Sequence, residues 1–158
     1  ATLLPKLQWR SKVKLGAKLT TLKLPYRRAS EAEIAGKIRG AQRFVDSALY
    51  DLEMPDVLRL MKERGEQKAE VQALFLDEYA FVGIPAELFV ELGLALKERS
   101  YPRHALVFGL ANGMVGYVPH KEAFERGGYE TTFCGWSNLA PEAGDMLIEA
   151  GIRLVRGE

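Results

Sequence analysis

Cysteine and histidine are scarce in this chain: one cysteine, Cys134, and two histidines, His104 and His120, in 158 residues. A single cysteine excludes an internal disulfide and leaves a lone buried thiol as the default reading. Neither histidine has metal-ligand spacing such as His-x-x-x-His. His104 precedes a strand and reads as exposed, whereas His120 follows Pro119 beside a glycine-rich loop. There is no Gly-x-Ser-x-Gly elbow, no phosphate-binding glycine loop, and no histidine placed to activate Cys134. No apolar run approaches the roughly 20 residues of a membrane span, and the first residues do not form a signal peptide. These absences leave the compartment open, with cytoplasm favoured.

Charge is balanced overall at +1 but unevenly spread. Before Glu31 the chain carries Lys6, Arg10, Lys12, Lys14, Lys18, Lys23, Arg27 and Arg28 and no acidic residue. Such a basic stretch can contact nucleic acid or an anionic surface. Its plainer reading is a solvated strand that pairs with acidic neighbours. The absence of interleaved aromatics weighs against RNA.

What is present is ordinary for a folded domain: 47% hydrophobic and 27% charged residues in 17.6 kDa. This size fits a single α/β domain over residues 1–158, with most of its unfolded surface buried. From Ser11, Val13, Leu15, Ala17 and Leu19 alternate with Lys12, Lys14 and Lys18, the period of a half-buried strand. The phase slips at Thr20-Thr21 before Leu22 and Leu24, which predicts a bulge. Ser30-Glu-Ala-Glu33 is a capping box, predicting a helix whose stripe of Ile34, Ile38, Ala41, Phe44, Val45, Ala48 and Leu49 lies on a sheet. A shorter helix through Val57 and Met61 ends near Gly65. Ala69–Leu76 and Ala80–Ile84 then form a hairpin around Asp77-Glu78. Glu87 opens a helix, Ala105–Gly109 is a strand, a long loop follows, and a last helix starts at Leu139. The fold expected is a mixed β-sheet with helices packed on it. The chain opens at Ala1 without methionine, which reads as processing or as a piece of a longer polypeptide.

Three residues stand out as chemistry-bearing. Glu87 ends an apolar strand at Ile-Pro-Ala-Glu, where open α/β sheets collect ligands and where a helix start favours a carboxylate. Its alternative is a plain first-turn helix glutamate. Tyr117 lies in an apolar loop and could bind a cation as phenolate or simply pack in the core. Tyr129 follows Gly127-Gly128, where bare backbone could admit substrate, or it too is packing.

Phe81-Val-Gly-Ile-Pro-Ala-Glu87, the segment Val107 to Tyr117 ending Gly-Leu-Ala-Asn-Gly-Met-Val-Gly-Tyr, and Lys121 to Tyr129 together resemble the neutral/alkaline ceramidase family. The likeness is to the second half of its catalytic domain and extends more weakly from Leu24-Pro25 to Gly144. It implies a zinc-dependent hydrolase of lipid (sphingolipid) metabolism, an amidase that cleaves the N-acyl bond of ceramide-like substrates. Glu87 and Tyr117 match the family's metal-binding glutamate and tyrosine, and Tyr129 matches the tyrosine implicated in steadying the oxyanion. Ala86 replaces the usual glycine, Leu88-Phe89-Val90 a threonine-rich run, and Met114 the first loop tyrosine. The family's two zinc-binding histidines belong to the half not present here. The resemblance therefore implies a partner, either the upstream half of the catalytic domain or a second chain, and an isolated chain that is incomplete. The competing expectation is a non-catalytic module that docks its basic strand on an acidic partner, nucleic acid or anionic lipid.

Overall fold

The computed structural model describes residues 3–158. Its centre is a four-stranded mixed sheet in the order β1 (Leu15–Pro25), β2 (Glu66–Leu76), β3 (Tyr79–Gly83), β5 (His104–Phe108). The first three strands are antiparallel; β3 and β5 are parallel, joined through α3 (Val90–Arg99). The sequence reading of a mixed sheet with packed helices holds. The β2–β3 hairpin forms where Asp77 adopts φ 50°, a left-handed geometry that aspartate tolerates well.

One face of the sheet is covered by α3 and α5 (Ala143–Arg156). Leu92 and Leu96 from α3, and Leu147, Ile152 and Val155 from α5, meet Val71, Ala73 and Val82 in the main core. The last helix begins at Ala143 rather than Leu139, because Leu139 bridges to Tyr26 at the end of β1.

The structure corrects β1. Pairing with β2 is one-to-one from Leu15 to Pro25, so no bulge forms at Thr20-Thr21. The phase slip instead moves the apolar residues from one face to the other. Leu22 and Leu24 point to the helices, whereas Leu15 and Leu19 lie on the opposite face at 80% and 50% exposure. Residues 11–14 precede the strand.

The long helix expected after Ser30 is also corrected. The capping box forms, but α1 spans only Glu31–Ile34, and Gly36 and Gly40 take φ 67° and 87°, which no helix accommodates. A new helix, α2 (Ser47–Arg64), absorbs Ala48 and Leu49 together with the expected second helix. It packs Met54 and Val57 on Phe133 in a small separate core, away from the sheet.

Candidate metal and amide site

β3 and β5 run parallel, so both release their chains at the same end of the sheet. After β3, Ile84-Pro85-Ala86 leads into a two-residue strand, β4 (Glu87–Leu88). After β5, the 109–116 loop leads into β6 (Tyr117–Val118). The two pair in parallel, with Glu87 opposite Tyr117 and Leu88 opposite Val118. The Glu87 amide donates to the Gly116 carbonyl at 3.0 Å, and the Phe89 amide to the Val118 carbonyl at 3.2 Å. This corrects the expectation that Glu87 opens a helix: α3 begins three residues later, with Phe89 as its cap. Glu87 is therefore held by strand pairing, neither as a first-turn helix residue nor by a helix dipole. Ala86 is fully buried without a positive φ, so replacing glycine there costs no backbone strain.

Gly116 sets the position of Tyr117. Its φ is 91°, and a Cβ on it would overlap the Trp136 carbonyl, which accepts from the Tyr117 amide at 2.8 Å. The loop before it holds Leu110 at φ 54° and Asn112 at φ 65°. A leucine in that region is an outlier costing on the order of 1–2 kcal/mol. The expected long structureless loop is shorter than read, since β6 and the helix α4 (Lys121–Arg126) occupy much of it.

Tyr129 opens a short 3-10 turn through Thr131. Its ring meets the Tyr117 ring edge-on at 5.8 Å and the Phe44 ring at 6.4 Å. Gly127 does not clear a path for substrate: a Cβ on it would run into the Gln42 side chain. The glycine lets the turn pack against the 40–42 segment. Arg27 fastens the same turn from below, donating to the Thr131 carbonyl at 2.8 Å while bound to Glu33 at 2.6 Å.

The structure thus brings Glu87, Tyr117 and Tyr129 together. Glu87 and Tyr117 line an open cleft of ≈ 390 Å³ walled by Leu88, Phe89, Gly109 and Leu110, with Glu130 on its rim, and Tyr129 stands behind Tyr117 through the ring contact. Burial pushes the Tyr117 phenol above its ordinary pKa, and the Glu87 carboxylate and then Tyr129 raise it further. Tyr129 is raised by burial first, then by Tyr50, Cys134 and Glu87. Both are therefore neutral hydroxyls near pH 7 in the absence of a cation.

Sequence reasoning missed three contributors. Glu130 immediately follows Tyr129 and adds a second carboxylate to the cleft. Leu110 carries backbone strain that no sequence pattern announces. Tyr50 is wholly buried behind the site, its ring 6.1 Å from Trp136 and its hydroxyl without a protein partner.

The remaining candidates lie elsewhere. His104 is exposed, at the start of β5 and so at the strand end away from Glu87, with its ring beside Tyr79. His120 accepts at Nε2 from Arg126 at 2.9 Å, which leaves Nδ1–H for Glu122 at 3.0 Å and commits both ring nitrogens. Cys134 is fully buried and its thiol is pushed up to about 12, chiefly by burial, so it is no nucleophile at neutral pH. Among the described residues, no group of three or more His, Cys, Asp or Glu could hold a metal ion. The donor set at the cleft is oxygen-rich and fits one side of a zinc site, which accepts carboxylate oxygen but takes three or four protein ligands.

The basic N-terminal stretch is partly neutralised. Arg10 lies 3.4 Å from Asp77 and 3.6 Å from Glu78, Lys23 pairs with Glu66 at 3.4 Å, and Arg27 pairs with Glu33. Among the described residues, no helix is long and apolar enough to cross a membrane.

No known family's sequence profile matches the chain. No curated protein matches it either. Among solved structures it is similar to the neutral ceramidase of Pseudomonas aeruginosa, with a TM-score of 0.56 at 14% identity. The match covers 91% of this chain and 29% of the ceramidase chain. At that identity the likeness is one of fold. The chain spans less than a third of the length of the protein it matches.

Proposed function

We propose that this chain supplies the carboxylate–phenol side of a zinc-dependent amidase that hydrolyses an N-acyl amide of the ceramide class. The observation that carries the reading is the registered pairing of Glu87 with Tyr117 in an open cleft at the carboxyl ends of β3 and β5, with Tyr129 edge-on to Tyr117 at 5.8 Å. The fold likeness to a neutral ceramidase supports the hydrolase class.

The Glu87 carboxylate and the Tyr117 phenol would hold the metal, with histidines from outside this chain completing the set. When bound, zinc supplies Lewis acidity toward the amide carbonyl and toward water. Tyr129 keeps its proton at neutral pH because its pKa is raised, so its hydroxyl can donate to the oxyanion of the tetrahedral intermediate. Leu88, Phe89 and Leu110 give the cleft apolar walls suited to an acyl chain. Arg27 and Gly116 act at a distance by fixing the two tyrosine-bearing segments.

The test is hydrolysis of an N-acyl amide, ceramide first, by this chain alone and by the longer polypeptide or chain pair that contains it. Chelator-sensitive hydrolysis only in the complete assembly, lost in Glu87→Gln, is the expected result. Full activity in that variant would remove the proposal.

A further inference from the structure

The sheet is apolar on both faces, and the described residues cover only one. On the uncovered side the register sets Leu15 beside Leu76, Ala17 beside Leu74, Leu74 beside Phe81, and Phe81 beside Leu106. Leu74 is 45% exposed although β2 is an interior strand, and Phe108 on the edge strand is 48% exposed. A sheet with one wet face alternates apolar-in with polar-out, whereas strands buried on both sides are apolar at successive positions. Ala73-Leu74-Phe75-Leu76, Ala80-Phe81-Val82 and Ala105-Leu106-Val107-Phe108 follow the second pattern. Polar residues on this face include Gln72 beside Leu19, His104 at the start of β5, and Thr21, Lys23, Lys68 and Glu70 toward the other end of β1 and β2. Contiguous apolar surface of this kind marks an interface.

The patch also leads to the cleft. Phe108 is followed by Gly109 and Leu110, which wall the cleft opposite Glu87 and Tyr117. A layer seated on the patch would therefore extend to the open side of the site.

We propose that this face docks a second apolar layer belonging to the rest of a longer polypeptide, and that this layer closes the Glu87–Tyr117 cleft. The occupant follows from lengths: 91% of this chain fits into a ceramidase of which the match occupies only 29%, so a protein of that fold carries ample further chain to supply the layer. The inference deepens the amidase reading by naming the surface through which the site is completed.

Cysteine reporters test it, because native Cys134 is buried. Leu74→Cys and Phe108→Cys sit on the open face, and Ala73→Cys, on the helix-covered face, is the protected control. Maleimide labelling is measured in the isolated chain and in the full-length gene product containing it, with circular dichroism confirming that each variant folds. Both face reporters should react readily in the isolated chain and be slowed by an order of magnitude or more in the full-length product, with Ala73→Cys slow in both. Equal labelling in the two forms overturns the proposal, as does a gene that encodes nothing beyond this chain. Protection already present in the isolated chain, with a doubled sedimentation mass, assigns the face to a second copy and overturns it too. Labelling requires neither metal nor substrate, so failure of the amidase chemistry would leave this result readable.

Discussion

Glu87 and Tyr117 stand opposite each other in a two-strand parallel ribbon, although thirty residues of chain separate them. Parallel register puts paired side chains on the same side, so the carboxylate and the phenol converge by backbone geometry rather than by side-chain reach. On the proposed function, Glu87→Gln should weaken the zinc affinity of the full-length product at least tenfold, since losing one anionic ligand costs more than about 1.4 kcal/mol. Tyr117→Phe should also lower it. Competition with a chromophoric chelator measures both.

The proposed function gives Tyr129 a different role, which should separate it from that pair. Tyr129→Phe is expected to leave zinc affinity within about twofold while lowering kcat by roughly 10²–10³, the usual effect of removing one oxyanion donor. Zinc titration and steady-state kinetics on the same preparation distinguish a donor from a ligand.

Gly116 carries the position of Tyr117. Gly116→Ala must strain a φ of 91° and push a Cβ into the Trp136 carbonyl. A loss of about 2–3 kcal/mol in urea unfolding is expected, the sum of the strained backbone and the displaced contact. An unchanged midpoint would show that the ribbon tolerates a different path.

Arg27 and Glu33 provide a pH-dependent readout. Burial alone would raise the Glu33 carboxyl, but the Ser30 amide, the Arg27 guanidinium and the Ser30 hydroxyl outweigh it and hold its pKa below the ordinary value. A folded pKa below the unfolded one gives stability that is present above the unfolded value, near pH 4–4.5, and is lost as pH falls through the folded value. Glu33→Gln should remove that acid-side slope. Arg27→Ala should cost about 2–4 kcal/mol, because it strands a carboxylate and releases the Thr131 carbonyl. Chemical denaturation between pH 3 and pH 7 measures both.

Much of the sheet could be read from the chain, and the residues of the candidate site could be named from it though their placement could not. The β2–β3 hairpin and the Ser30–Glu33 capping box follow from local rules, and both formed as expected. The faces of β1 did not, because alternation tells which residues share a side and not which side is covered. Helical spacing from Ile34 to Leu49 misled because Gly36 and Gly40 sit at positive φ, a property that composition leaves open. Glu87 was misplaced on a helix for a similar reason: a two-residue strand has no periodicity, and only its partner 30 residues away defines it. Glu130, Leu110 and Tyr50 joined the neighbourhood through tertiary packing, with no spacing signal between them.

Tyr50 yields a last stability prediction. A buried hydroxyl without a partner costs roughly 1–3 kcal/mol of desolvation, so Tyr50→Phe should stabilise the isolated chain by about 1 kcal/mol in thermal or urea unfolding.

The most direct measurement is zinc content by mass spectrometry of the native protein, for the isolated chain, the full-length product, and the full-length product carrying Glu87→Gln. One zinc per molecule in the full-length product, little in the isolated chain and loss in Glu87→Gln is the outcome expected of a half-site completed from outside. Tightly held zinc in the isolated chain, accompanied by chelator-sensitive hydrolysis of an N-acyl amide, would contradict it, as would full zinc retention in Glu87→Gln.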